Sequence, residues 1–171
     1  MVDSVSVLNS RSGTYFLEEK RAVFEGDVRL EQEGTTMRGD SLVHYREGAR
    51  SHGFGSVRIE HRESFADTLA AGSDAEGRAR GDTLRRSLLF GEEARYRRPT
   101  GESRMSGRPL VVQLRYDSTG VDTLMMRSER LRTVETDTLR RMIATGTVRF
   151  WERRLAATAD SVIFERWGAG Y

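Results

Sequence analysis

The chain has no cysteine, two prolines and no long apolar run. Without cysteine there is no disulfide framework, no thiolate metal site and no cysteine nucleophile. Two prolines exclude collagen and proline-rich linkers. No apolar stretch approaches the roughly 18 residues that a membrane-spanning helix needs. Lysine is almost missing too. Lys20 is the single one, so 27 of the 28 basic residues are arginine, set against 26 acidic residues for a net charge of +2. Arginine and acid are interleaved along the chain, whereas a nucleic-acid binder gathers its positive charge on one face. What remains is a chain of 171 residues, 37% hydrophobic and 32% charged, with Val, Leu, Ile and Phe spread along its whole length. That excludes a fully disordered polymer and fits one domain of ordinary size.

The hydrophobic residues recur with a period of two. In 21–31, Ala22, Phe24, Gly26, Val28 and Leu30 share one parity, while Arg21, Glu25, Asp27, Arg29 and Glu31 share the other. This is a strand with one dry face and one wet face. The pattern returns at 55–60, with Val57 and Ile59 opposite Arg58 and Glu60, and at 146–152, with Val148 and Phe150 opposite Arg149. Segment 123–134 has weak helical spacing, but the repeats around it predict strand.

Two short phrases alternate through the chain. The first is Gly-x-Val-Arg-apolar, at Gly26–Leu30, Gly55–Ile59 and Gly146–Phe150, with a looser copy at Gly91–Tyr96. The second is Asp-Ser/Thr-apolar, beginning at Asp3, Asp40, Asp67, Asp82, Asp122, Asp137 and Asp160. Gly26 precedes Asp40 by 14 residues, and Gly146 precedes Asp160 by 14. Asp82-Thr-Leu-Arg-Arg returns 55 residues later from Asp137, so 56–110 and 111–165 read as related units within one domain spanning 1–171. Arg97–Glu102 is the best loop, because Pro99 cannot continue a central strand. Short strands at this spacing predict an antiparallel meander. Glycine inside the strand pattern predicts bends that let the sheet curl. The inward face then carries Phe24, Val28, Leu30, Val57, Ile59, Val148 and Phe150. Leu42, Leu139, Val162 and Phe164 depend on whether a bend at the Asp phrase reverses parity.

Other signals are accounted for by this pattern. His44, His52 and His61 are spaced by 8 and 9, which suits neither a zinc helix nor a zinc finger. No Ser-His-Asp arrangement has supporting context. Both Arg-Gly-Asp tripeptides, at Arg38 and Arg80, fall on repeat positions. The repeated Asp lacks the glycine run of a calcium solenoid and suits a turn or cap. The aromatics are too scattered for a base-stacking platform. No catalytic group, metal site or cofactor is expected.

The cadence resembles the OstA-like, LptA-type family of lipopolysaccharide transport. Gly39-Asp-Ser-Leu-Val-His-Tyr45 followed by Gly53-Phe-Gly-Ser-Val-Arg-Ile59 matches its phrase of Asp-x-apolar, loop, then Gly-x-Val-x-apolar. So does Asp137–Phe150 followed by Ala159-Asp-Ser-Val-Ile-Phe164, and the resemblance covers nearly the whole chain. Gly107-Arg-Pro-Leu110 and the glycine-rich segment 70–80 depart from it.

The resemblance implies an all-β fold: a single curved antiparallel sheet of repeated short strands, folded into a β-jellyroll or β-taco. It implies a periplasmic location, and an opening on Met-Val-Asp that is already patterned suits a chain whose leader has been removed. It implies lipopolysaccharide as the ligand, with Phe24, Val28, Leu30, Leu42, Val57, Ile59, Leu139, Val148, Phe150 and Val162 lining a groove for lipid A acyl chains. It implies other jellyroll modules as partners, including copies of this chain stacked end to end through open sheet edges, and no nucleic acid. Two alternatives stay open: the N-terminal domain of an outer-membrane lipopolysaccharide assembly protein, and a structural β-solenoid or adhesin repeat that binds no lipid.

Overall fold

A computed structural model describes residues 6–32, 34–65, 83–117, 120–136 and 139–167. The copies of the Asp phrase at Asp3, Asp67, Asp82 and Asp137, and segment 70–80, lie outside the described residues. The rest is strand apart from its connections: β1 (Val7–Asn9), β2 (Ser12–Phe16), β3 (Arg21–Gln32), β4 (Thr35–Tyr45), β5 (Arg50–Phe65), β6 (Thr83–Arg97), β7 (Glu102–Ser106), β8 (Leu110–Asp117), β9 (Gly120–Arg127), β10 (Arg130–Glu135), β11 (Leu139–Glu152) and β12 (Leu155–Trp167). Pro99 sits in a single 3-10 turn, Arg98–Thr100, between β6 and β7.

Every pairing is antiparallel. β6 pairs with β7 through 93–97 and with β8 through 84–90, so β7 and β8 are one strand with a break at Gly107–Pro109. β9 and β10 likewise form one strand against it, broken at Ser128–Glu129. β1 and β2 both pair with β3, on either side of Glu25–Val28. Among the described residues the twelve elements therefore make nine antiparallel passes of a meander. The strands meander rather than coil, so the parallel winding of a solenoid is absent among the described residues.

All nine passes kink along one line. Register slips between Glu25 and Val28, Arg38 and Ser41, Phe54 and Val57, and Thr145 and Val148. This crease folds the sheet on itself. The front layer holds 7–9, 28–32, 34–38, 57–65, 83–91, 110–117, 120–127 and 148–159. The back layer holds 12–25, 41–54, 93–106, 130–136, 139–145 and 161–167.

The Gly-x-Val phrase makes the crease. Gly26, Gly55 and Gly146 have φ of +78°, +69° and +78°, and the next residues, Asp27, Ser56 and Thr147, follow at +49°, +45° and +42°. Two successive left-handed residues turn the strand sharply, and the first position favours glycine. Space makes the same demand. A Cβ on Gly55 would lie 2.8 Å from the Asp40 Cβ, and one on Gly146 would lie 2.8 Å from the Glu129 Cβ. The valine after each pair, Val28, Val57 or Val148, is buried at the inside of the fold.

The looser copy at Gly91 has no positive φ and sits at the other kind of corner. The fourth left-handed pair on the crease is Gly107-Arg108, with φ of +80° and +54°. The departure from the repeat at Gly107–Leu110 is thus the missing member of the series, with buried Pro109 in place of the first residue after the pair. The Asp phrases are not equivalent to one another. Asp40 and Asp160 lie at register slips on the crease, whereas Asp122 pairs with Arg115 well inside an arm.

Corners of the two kinds treat parity differently. Gly53 and Val57 keep the same parity across the Gly-x-Val corner of β5. Met37 and Leu42 face inward from opposite parities of β4, because the chain loses one step at Gly39-Asp40. The same reversal separates Leu89 from Ala94 on β6 and Met126 from Leu131 on β9–β10.

Candidate functional site

The two layers enclose a slot that is lined from the crease outward. Nearest the crease, Val28, Leu42, Val57, Ala94, Met105, Val111, Met126, Leu131, Ala144 and Val148 are buried. Burying a side chain of this size contributes about 1.5–3 kcal/mol, so this strip is what holds the layers together. Met37, Ile59, Leu89, Met142, Phe150, Val162 and Phe164 pack against it and are only partly buried. The centre is nearly full. A cavity of about 40 Å³ remains between Met37, Ile59 and Leu89 of the front layer and Ala94, Met105 and Leu131 of the back layer.

Farther from the crease the inner faces turn polar. Thr35 and His61 share a hydrogen bond of 2.8 Å between Oγ1 and Nδ1 on the front layer. Ser51 and His44 do so at 3.1 Å on the back layer. Glu135 and Arg140, paired at 2.8 Å, act electrostatically on His61 from the opposite layer. Burial holds the His61 imidazole below its ordinary value. Glu135 opposes that shift and Arg140 adds to it.

The slot differs along its length. In the middle it is closed by the buried strip. Toward β11 and β12 the lining stays apolar but is half exposed. There the Phe150 and Phe164 rings face each other across the slot with centroids 6.1 Å apart, and Met142 and Val162 stand beside them. Among the described residues β12 pairs with β11 alone, which leaves the backbone groups of its other side without a strand partner there. At the opposite end β1 and β2 pair with β3 alone.

The outer faces carry the interleaved charges. Glu60 accepts hydrogen bonds from Arg86 at 2.9 Å and Arg62 at 2.7 Å, which hold its carboxyl down at about 2. Glu102 takes Arg104 and Arg132 at 2.8 and 2.7 Å, and Glu93 takes Arg95 and His52. Both carboxyls are held below the usual range, Glu93 first by the hydrogen bond from Arg95 and Glu102 first by that from Arg104. Glu60 and Glu102 thus bridge arginines on their own strand and on a neighbour, and Glu93 bridges Arg95 on its own strand and His52 on β5. Among the described residues no three His, Asp or Glu side chains come together as a metal cage.

The fold decides what this chain can be compared with. It matches the crystal structure of LptH from Pseudomonas aeruginosa. That protein is described as the LptA-homologous periplasmic component of the conserved lipopolysaccharide transport device. The TM-score is 0.55 over 76% of each chain, at 14% sequence identity. The two share a fold. No protein-family model matches the sequence, and no curated protein matches it. LptH is a component of a transport device, and the shared fold is the β-jellyroll that the family resemblance implied.

Of the ten candidate groove residues, nine face the slot. Val28, Leu42, Val57 and Val148 lie in the buried strip. Ile59, Phe150 and Val162 pack on it, and Phe24 and Leu30 flank it on β3 beside their partners Leu42 and Met37. Leu139 does not join them. It lies five residues from Ala144 with no slip between, so it takes the outer parity opposite Trp167. Phe164 is inward, as a reversed parity at Asp160 requires. Sequence reasoning missed Met37, Leu89, Met105, Val111, Met126, Leu131 and Met142. Several sit in unbroken apolar runs such as Leu124-Met-Met126, where period two gives no face.

Proposed function

We propose that this chain is a periplasmic module that shields the acyl chains of lipopolysaccharide in its slot and hands them along a bridge of similar modules. The observation that carries this reading is the apolar, partly buried lining at the β11–β12 end, where Phe150, Phe164, Met142 and Val162 stand beside the outermost strand of the sheet. Each acyl CH₂ buried there contributes about 0.8 kcal/mol. The filled centre is compatible with entry, because Met37, Met105, Met126 and Met142 line it. Methionine is unbranched and repacks readily around a guest. The phosphorylated sugar stays outside the slot. The free edges β1–β2 and β12 suit strand addition by the next module. The shared fold with LptH supports the reading at the level of architecture.

The test is site-specific photocrosslinking to lipopolysaccharide. Probes at Phe150 and Phe164 should capture lipid, while a probe at Arg104, on the outer face of the back layer, should not. Capture from Arg104 with none from the two phenylalanines would overturn the slot as the lipid site.

A further inference from the structure

The front layer is apolar on both faces over its second half. On the inner face stand Leu89, Val111, Met126 and Phe150. On the outer face stand Leu88 and Phe90 of β6, Leu110, Val112 and Leu114 of β8, Met125 of β9 and Trp151 of β11. The register places Leu88 beside Val112, Val112 beside Met125, and Met125 beside Trp151, so they form one band across four strands. None of these outer residues packs on the buried strip. Met125 is 40% exposed and Trp151 36% exposed. The sequence carries the same signal. Strands with one wet face alternate, as β3 does, whereas Ser87-Leu-Leu-Phe90, Leu110-Val-Val112 and Leu124-Met-Met126 are runs. Runs of that kind belong to strands covered on both sides.

The charges beside this band are also unlike the rest. Around Glu60, Glu93 and Glu102 each arginine has a carboxylate. Arg127 and Arg149 are direct cross-strand partners on the outer face, and among the described residues neither has an ion pair. Their other neighbours across the strands are Leu110 and Thr158, not acids. Two like charges placed opposite each other destabilise a sheet, and among the described residues no carboxylate pairs with either of them. Arg153 and Arg154, exposed and without ion pairs among the described residues, occupy the β11–β12 turn next to exposed Leu155.

From this juxtaposition we propose that the outer face of the front layer, from β6 to β11, docks on the surface of a bilayer that contains anionic lipid. Trp151, Met125 and the β8 side chains enter the boundary between headgroups and acyl chains. Arg127, Arg149, Arg153 and Arg154 meet the phosphates, with their stems lying along apolar surface. A second copy is a poor occupant, because twofold packing of this face would bring four unneutralised guanidiniums together. The proposal does not rest on lipid in the slot, which lies on the other side of the same layer.

Vesicle co-sedimentation tests it. The protein should sediment with phosphatidylglycerol-containing vesicles, far less with pure phosphatidylcholine, and binding should weaken with salt. Replacing both Arg127→Gln and Arg149→Gln should lower partitioning about thirty-fold, from roughly 1 kcal/mol for each arginine near an anionic surface. Met125→Thr with Trp151→Thr should lower it as well, and thermal melts check that both variants fold. Slot capture from a Phe164 probe should persist in both variants, which separates this proposal from the slot reading. Absence of binding to either vesicle overturns it. So does binding that both double variants retain, or light scattering showing that the face joins two copies.

Discussion

Thr147 is the residue least suited to its place. A β-branched side chain at a φ of +42° is a true outlier, because its second γ-atom crowds the backbone in the left-handed region. Thr147 is exposed, so little packing is lost when it is shortened. Its neighbour Gly146 has the opposite constraint, since any Cβ there meets the Glu129 side chain. Thr147→Gly should therefore raise stability by about 1 kcal/mol, and Gly146→Ala should lower it by about 2–4 kcal/mol. Urea denaturation of the two variants checks the pair. Changes of the same sign would contradict a left-handed corner. This corner also marks how far the sequence could be read. Three valines after Gly-x announced three corners by their shared phrase. The fourth, at Gly107-Arg108, was hidden because Pro109 stands where valine does elsewhere. Its backbone is the same, but its letters are not.

At the scale of strands, arginine–carboxylate pairs tie the outer face of β5 to β6 and that of β7 to β10, and Glu60 is the best connected of these acids. Its carboxyl lies near 2, well below the 4.5 of a free side chain. A depressed carboxyl stabilises the fold above its unfolded value and loses that contribution as the pH falls. Glu60 should then stabilise the protein fully above about 4.5 and give that up between about 4.5 and 2. Glu60→Gln should melt lower at neutral pH by on the order of 1 kcal/mol, a figure reduced for solvent screening, and converge with the parent protein near pH 2. Thermal melts across that range check it. A gap that stays constant with pH would mean that the arginines add nothing through charge. Period two made β3 and the second arm of β5 legible, since the outward positions there are polar apart from Val23. It failed on β8 and β9 because Val111 and Val112, or Met125 and Met126, are equally apolar and face opposite ways. Leu139 was misplaced for a related reason: a bulge-free arm carried its parity outward.

For the whole molecule, the proposed bridge requires that the free edges find each other. Light scattering should show assemblies that grow with protein concentration. A strict monomer at high concentration would argue against growth through the edges. Exposed Leu155 and Ile163 on β12, and Val7 and Tyr15 on β1 and β2, mark the two edges as apolar enough for such contacts. The overall curl was readable from glycines placed inside strands. The filling of the slot was not, because it depends on which side chains meet across the crease, and those partners lie far apart in sequence. Met37 against Gly53 and Met105 against Gly91 are examples.

The odd number of passes has a directional result. The first and last passes both travel from the front layer to the back layer. A newcomer added by simple translation, front on front, must set its β1–β2 beside the resident β12 with both chains heading the same way. A newcomer rotated by half a turn sets β12 beside β12, heading opposite ways, and uses up that edge on both copies. Repetition of the first kind lengthens indefinitely, while the second, on that edge, stops at a pair.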